Sequence, residues 1–157
     1  MSSVPIFGEF DRDRASWDLR VGFDLVRISH IEASLKQFGD RFSQRIFTAD
    51  ELHYAFLGEG LHAQRLAARF AAKEATIKAL QLSHFGIGWR DIEIKKSQTG
   101  ACEVALHDKV ARLAKNMGVS KIRVSLSHEG DYAGAMVTAF LKSSDSIDAQ
   151  DPFHEHF

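Results

Sequence analysis

The sequence predicts an α+β domain in which an antiparallel-rich sheet packs against one long helix. Three observations carry that class. Two alternating runs, Lys121 to His128 and Tyr132 to Leu141, flank the turn EGD, and period-two alternation marks half-buried strands. Apolar residues recur at helical spacing from about His62 to Leu82, the longest helical stretch in the chain. Asp91 to Lys96 and Cys102 to Leu106 flank the polar turn SQTG, where Gly100 supplies the permissive backbone a hairpin needs.

The elements follow in chain order. Val21 to Ile28 (VGFDLVRI) reads as the first strand, and Ser29 with Glu32 forms a capping box into a helix. That helix carries Ile31, Leu35 and Phe38 on one side and ends near Gly39. Thr48 with Glu51 forms a second box, opening a short helix through about Leu57. Past the long helix and the hairpin, Val110, Leu113, Ala114 and Met117 define another helix, stopped by Gly118. The order βααα, ββ, α, ββ is that of an α+β domain. Residues 1–18 and 143–157 mix charges and serines without periodicity and read as tails, leaving 19–142 as one domain. His154, Glu155 and His156 resemble a metal-binding tract, but a metal site needs fixed geometry, so they read as part of a solvated tail.

A chain of 157 residues with 45% hydrophobic content supports one compact core. With 20 basic and 21 acidic residues, no global field marks a nucleic-acid or membrane-surface binder, so an anionic ligand must meet a local site. The single cysteine, Cys102, excludes an internal disulfide. No basic leader with an apolar run opens the chain, and no segment approaches the roughly 20 apolar residues of a membrane helix. The expected compartment is the cytoplasm.

Charges stand where the core should be. On the long helix, Leu66, Phe70, Ile77 and Leu80 form an apolar stripe, and Lys73 and Glu74 interrupt it. A buried charge is costly unless paired or metal-bound. For Lys73 the expectation is an internal ion pair with a neighbouring helix, or escape of the ammonium to solvent along its long stem. Glu74 reads equally as a paired core carboxylate or a site residue. Lys78 lies one turn on, an (i, i+4) partner for Glu74 in the favourable orientation. Asp24 interrupts a run suited to a buried strand, as a hydrogen-bonded aspartate or a metal ligand, and Gly22 beside it admits close approach. Two carboxylates from distant positions suit magnesium, which takes oxygen ligands and completes its shell with waters and phosphates. His128 ends the apolar face of Ile122, Val124 and Leu126, and on the strand pattern alone it reads as a core histidine.

Taken together, GFDLVRI, RFAAKEATIKAL, WRDIEI and VSLSHEGDYAGAMV resemble the holo-[acyl-carrier-protein] synthase type of 4'-phosphopantetheinyl transferase, in order and spacing, over about Val21 to Leu141. The resemblance implies that family's α+β fold and assembly as a trimer with active sites between subunits. It implies transfer of 4'-phosphopantetheine from coenzyme A to a serine of apo acyl carrier protein, giving holo carrier and adenosine 3',5'-bisphosphate. It maps the Mg2+ ligands to Asp24 and Glu74 and the catalytic pair to Glu74 and Lys78. Coenzyme A contacts map to Arg69, Lys78, His128 and the hairpin turn at Gly100.

Three departures from the family pattern stand out. His30 replaces the first-helix arginine that helps dock the acidic carrier, LQLS (Leu80 to Ser83) replaces FGTG, and GAC (Gly100 to Cys102) replaces GKP. The first bears on carrier choice, and the second removes glycines that would let backbone approach phosphate. The proton acceptor for the serine is left among Glu74, a water on the metal, and Glu129 beside His128. Two other readings are a Mg2+-dependent nucleotide phosphohydrolase and an impaired paralogue that binds coenzyme A or carrier without turnover.

Overall fold

The computed structural model describes residues 17–142; residues 1–16 and 143–157, with the His154, Glu155 and His156 tract, lie outside the described residues. β1 (Trp17–Arg27) is followed by α1 (Ile28–Phe38), α2 (Asp40–Ile46), α3 (Ala49–Ala55) and the long α4 (His62–Leu80). A 3-10 turn at Trp89–Asp91 leads into the hairpin of β2 (Ile92–Lys96) and β3 (Cys102–Leu106), then α5 (Asp108–Asn116), β4 (Val119–Glu129) and β5 (Tyr132–Lys142). One antiparallel sheet has the order β1-β5-β4, and β2-β3 form a separate antiparallel pair. The expected α+β class is the one observed.

α4 lies on the sheet through an alanine face. Ala71, Ala72, Ala75 and Ala79 are buried against a cluster that includes Ala135, Val137 and Ala139 of β5. Short side chains on both elements let helix and sheet approach closely, which is why Phe70 and Ile77, expected on the buried stripe, are only partly covered. A second cluster of Ile31, Ile46, Phe47, Ala55 and Leu66 packs α1, α2 and α3 against the first half of α4.

Two local expectations are corrected. Ser29 does not cap α1 with Glu32: the helix starts at Ile28 without a side-chain cap of its own. Ser29 instead donates from both its backbone N and its Oγ to the Asp131 carboxylate, at 2.9 and 2.6 Å. The β4–β5 turn thus supplies the acceptor for the helix start, a partner 102 positions away that local spacing does not reveal. α1 does end at Gly39 (φ 52°) as expected, and the chain goes on into α2, a seven-residue helix not foreseen because it is too short to show a periodic pattern. The Thr48–Glu51 capping box forms as expected. Trp17 and Asp18, assigned to the N-terminal tail, open β1.

The faces of β1 are reversed relative to a strand buried for its apolar content. Gly22 is buried and Asp24 and Val26 are partly buried, all on the α4 side, while Trp17, Leu19, Val21, Phe23 and Leu25 point outward, each 55–58% exposed.

Candidate active site

Asp24 reaches α4 because nothing separates the two elements at Gly22. A Cβ on Gly22 would lie 1.9 Å from the Ala75 carbonyl oxygen and 2.7 Å from the Ala79 nitrogen, so strand and helix touch backbone to backbone. Asp24 is two residues along the same strand face, and Glu74 and Lys78 bracket the contact on the helix.

Lys78 Nζ donates to Asp24 Oδ1 at 2.7 Å and to the Phe23 carbonyl at 3.1 Å. The expected (i, i+4) pairing with Glu74 is not formed; the tightly packed strand offers Lys78 a carboxylate and a carbonyl together, a better acceptor set than one helix neighbour. Glu74 is half-buried, and its carboxyl is pushed above its ordinary value by burial first and by the charge of Asp24 second, with Lys78 opposing. A carboxyl held up by burial and by a neighbouring carboxylate is one that a cation would relieve. Among the described residues no group of three or more His, Cys, Asp or Glu side chains could hold a metal ion; Asp24 and Glu74 would supply two carboxylates alone. That donor set fits magnesium better than zinc.

Arg69 occupies a different part of α4. It is 3% exposed, and its guanidinium lies 4.1 Å from the centroid of the Tyr54 ring. Its Nη1 donates to the Arg65 carbonyl at 3.3 Å, and its buried Nε has no partner among the described residues. Arg65 and Lys96 approach the same ring, and Lys96 Nζ donates to the Tyr54 hydroxyl at 3.1 Å. That hydrogen bond, together with the positive charges of Lys96, Arg69 and Arg65, holds the phenol below its ordinary value against burial. Tyr54, Arg65 and Lys96 were not singled out in the sequence: they come from α3, α4 and β2, and no linear spacing joins them.

Lys73 stays inside. Its ammonium pairs with Glu51 Oε2 at 2.8 Å, both side chains fully buried, and also donates to the carbonyls of Trp89 and Ile92. Of the two expectations for Lys73, the internal pair with a neighbouring helix is the one realised. Burial pulls the ammonium below its ordinary value, with the Glu51 charge opposing.

His128 is the last but one residue of β4 and is exposed rather than a covered core residue. With Glu129 it lines an outward concavity floored by Phe23, Leu25, Tyr132 and Met136. No hydrogen bond or ion pair joins His128, Glu129 or Gly100 to Asp24, Glu74 or Lys78 among the described residues. Gly100 (φ 86°) closes the β2–β3 turn by donating to the Ser97 carbonyl at 3.0 Å. In LQLS, Gln81 takes the left-handed conformation (φ 55°) that ends α4, while Leu80 and Leu82 are buried.

A family model described as the 4'-phosphopantetheinyl transferase superfamily matches residues 20–137. The chain belongs to that superfamily. It is 40% identical over 119 residues to the holo-[acyl-carrier-protein] synthase of Gloeobacter violaceus, covering 76% of this chain and 90% of the relative. The synthase of Moorella thermoacetica is 43% identical over 126 residues, covering 80% and 95%. Among solved structures, the Chronobacterium ammoniagenes ACPS-CoA complex superimposes with a TM-score of 0.70 at 29% identity, over 80% of this chain and 99% of that one. The Helicobacter pylori holo-[acyl-carrier-protein] synthase in complex with coenzyme A gives 0.66 at 29%, over 76% and 98%. The resemblance noted in the sequence is borne out, and the protein is an enzyme of the holo-[acyl-carrier-protein] synthase type.

Proposed function

We propose that the enzyme transfers the 4'-phosphopantetheine arm of coenzyme A to a serine of an apo acyl carrier protein. The serine oxygen, losing its proton to one of the acceptors named above, forms a bond to the β-phosphorus, the pyrophosphate bridge breaks, and adenosine 3',5'-bisphosphate leaves with the bridging oxygen. The observation that carries this reading is the convergence of Asp24, Glu74 and Lys78 where β1 and α4 touch.

Asp24 and Glu74 would hold Mg2+, which when bound neutralises phosphate charge and favours an in-line displacement. Lys78, half exposed on the helix, presents its ammonium to a phosphate oxygen at the same place. Arg69, with a buried unpartnered Nε in a cluster of cations around Tyr54, has the charge to receive a further phosphate of coenzyme A. The Gly100 turn is open on its Cβ side, so backbone there is accessible to the ligand.

The active unit in this reading is a homotrimer with sites between subunits. The outward apolar row of β1 continues onto Met136 and Tyr132 of β5, and a contiguous exposed apolar row of this kind marks an interaction surface. His128 borders that same patch, which is where a residue must sit to reach coenzyme A held by a neighbouring copy. No helix among the described residues is long and apolar enough to cross a membrane, and the single cysteine suits the reducing cytoplasm.

The test is to incubate the protein with coenzyme A, Mg2+ and several apo carrier proteins and to weigh the carriers by mass spectrometry. Gain of the phosphopantetheine mass, dependent on Mg2+, is the expected result. Phosphopantetheine released without carrier would instead mark a phosphohydrolase, and carrier binding without mass gain an impaired paralogue.

A further inference from the structure

The junction of β1 and α4 already contains a cation. Lys78 sits one helical turn from Glu74, where an ion pair along the helix is the easy arrangement. It reaches across to the strand instead and spends two of its three N–H donors on Asp24 Oδ1 and the Phe23 carbonyl. The third faces solvent, since the side chain is 52% exposed while Asp24 is only 17% exposed.

We propose that Lys78 is an internal stand-in for the divalent cation: without co-substrate its ammonium holds Asp24, and it releases that carboxylate when a polyphosphate arrives to receive it. The proposal rests on the reading of Asp24 and Glu74 as a divalent-cation site. An ammonium at hydrogen-bond distance and a divalent ion at the roughly 2.0–2.1 Å of Mg2+ coordination compete for the same oxygen and the same charge. With Lys78 in place, Asp24 and Glu74 together present about one net negative charge rather than two, and a metal ion binds less well. A half-exposed pair is worth at most about fivefold in an equilibrium, so a pyrophosphate with several charges outbids it. Once Lys78 turns to phosphate, Asp24 is free for metal. Metal and co-substrate then favour each other through one side chain, and the coupling is reciprocal. The device keeps Asp24 paired between turnovers and makes metal loading up to about fivefold easier once the co-substrate is bound.

The test is direct titration of the full chain with Mn2+, free ion being read by electron paramagnetic resonance, without nucleotide. Lys78→Met and Lys78→Gln are expected to bind Mn2+ roughly two- to fivefold more tightly than the unchanged protein, the worth of the lost pair. Arg27→Met removes a positive charge from the outward face of the same strand, where Arg27 lies over the Tyr132 ring, and is expected to change nothing. The Lys78 Nζ resonance of the unchanged protein should also move when inorganic pyrophosphate is added before any metal. Equal or weaker Mn2+ binding in both Lys78 variants overturns the proposal while leaving the metal site standing. Equal tightening by Arg27→Met reduces the effect to net charge and overturns it too. If no variant binds Mn2+ even with coenzyme A present, the metal site itself fails and takes this proposal with it.

Discussion

Gly22 and Ala75 are in backbone contact: the Cβ that Gly22 lacks would fall 1.9 Å from the Ala75 carbonyl oxygen, inside any allowed separation. The obstacle is helix backbone, which cannot rotate aside as a side chain would. Gly22→Ala must therefore push β1 off α4, and overpacking of this kind costs about 1–3 kcal/mol or more. Because Asp24 rides on that strand face, the same shift should draw it away from Glu74 and Lys78. Thermal unfolding should show the lost stability, and the folded fraction should bind Mn2+ more weakly; normal stability in the alanine variant would contradict the packing described.

Glu74→Gln keeps the shape of the side chain and removes its charge. Transfer to carrier protein is expected to fall by about 10²-fold or more, the scale of losing one electrostatic contact to the reacting phosphate, while the melting temperature stays the same or rises. The rise is possible because burial and the Asp24 charge both disfavour the ionised form. A fully active glutamine variant removes Glu74 from the metal site.

What the sequence disclosed, and what it hid, divides along locality. The hairpin, the Thr48–Glu51 box and the extent of α4 depend on neighbours within a few positions, and all were legible. So was the oddity of charges on an apolar helix face. The destination of those charges was not, because Lys73 finds Glu51 and Lys78 finds Asp24 through folding, 22 and 54 positions away. The faces of β1 were misjudged for a related reason: its apolar row does not fill the core of this chain but stays outward. Asp131 as the acceptor at the start of α1 and the cations gathered around Tyr54 likewise exist only in three dimensions.

Lys73→Met takes the paired ammonium away from the Glu51 carboxyl in a fully buried position. Glu51 would keep its bonds from Thr48 N and Ile94 N, at 2.8 and 2.9 Å, but lose the only ammonium paired with it among the described residues. Removing one partner of such a pair typically costs about 3–5 kcal/mol. The carbonyls of Trp89 and Ile92 would also lose their donor, so the start of the hairpin should loosen first. Hydrogen exchange can check this: protection should fall most from Trp89 to Ile94, and an unchanged pattern would show that Lys73 does not hold the start of the hairpin.

Phe23→Asp places a charge in the outward row of β1, 58% exposed in the single chain. If that row is covered by other copies, the substitution buries an unpaired carboxylate at the interface. Sedimentation should then report monomers for the variant and trimers for the unchanged protein, with transfer lost alongside. The Phe23 side chain lies on the face of β1 opposite Asp24, and its carbonyl bond to Lys78 is kept in the variant, so a monomeric variant with full activity would show that one chain is a complete enzyme.

Glu93 gives the fold an acid-sensitive joint. Its carboxylate accepts from Thr48 Oγ1 at 3.1 Å and lies 2.7 Å from His107 Nε2, tying α3 and the start of α5 to β2. Burial alone would raise it, but the hydrogen bonds from His107 and Thr48 and the charge of Lys95 outweigh burial, and the carboxyl sits below its ordinary value of 4.5. A group depressed in the folded state contributes stability that is present above its unfolded value and is lost as pH falls through the folded one. The unchanged protein should therefore melt higher than Glu93→Gln at pH 6 to 7, and the gap should shrink as pH drops below about 4.5, where the glutamate gains a proton and its ionic advantage disappears. Calorimetry of both proteins across that range decides the matter: a gap that stays constant with pH would mean that Glu93 holds the joint by packing and not by its charge.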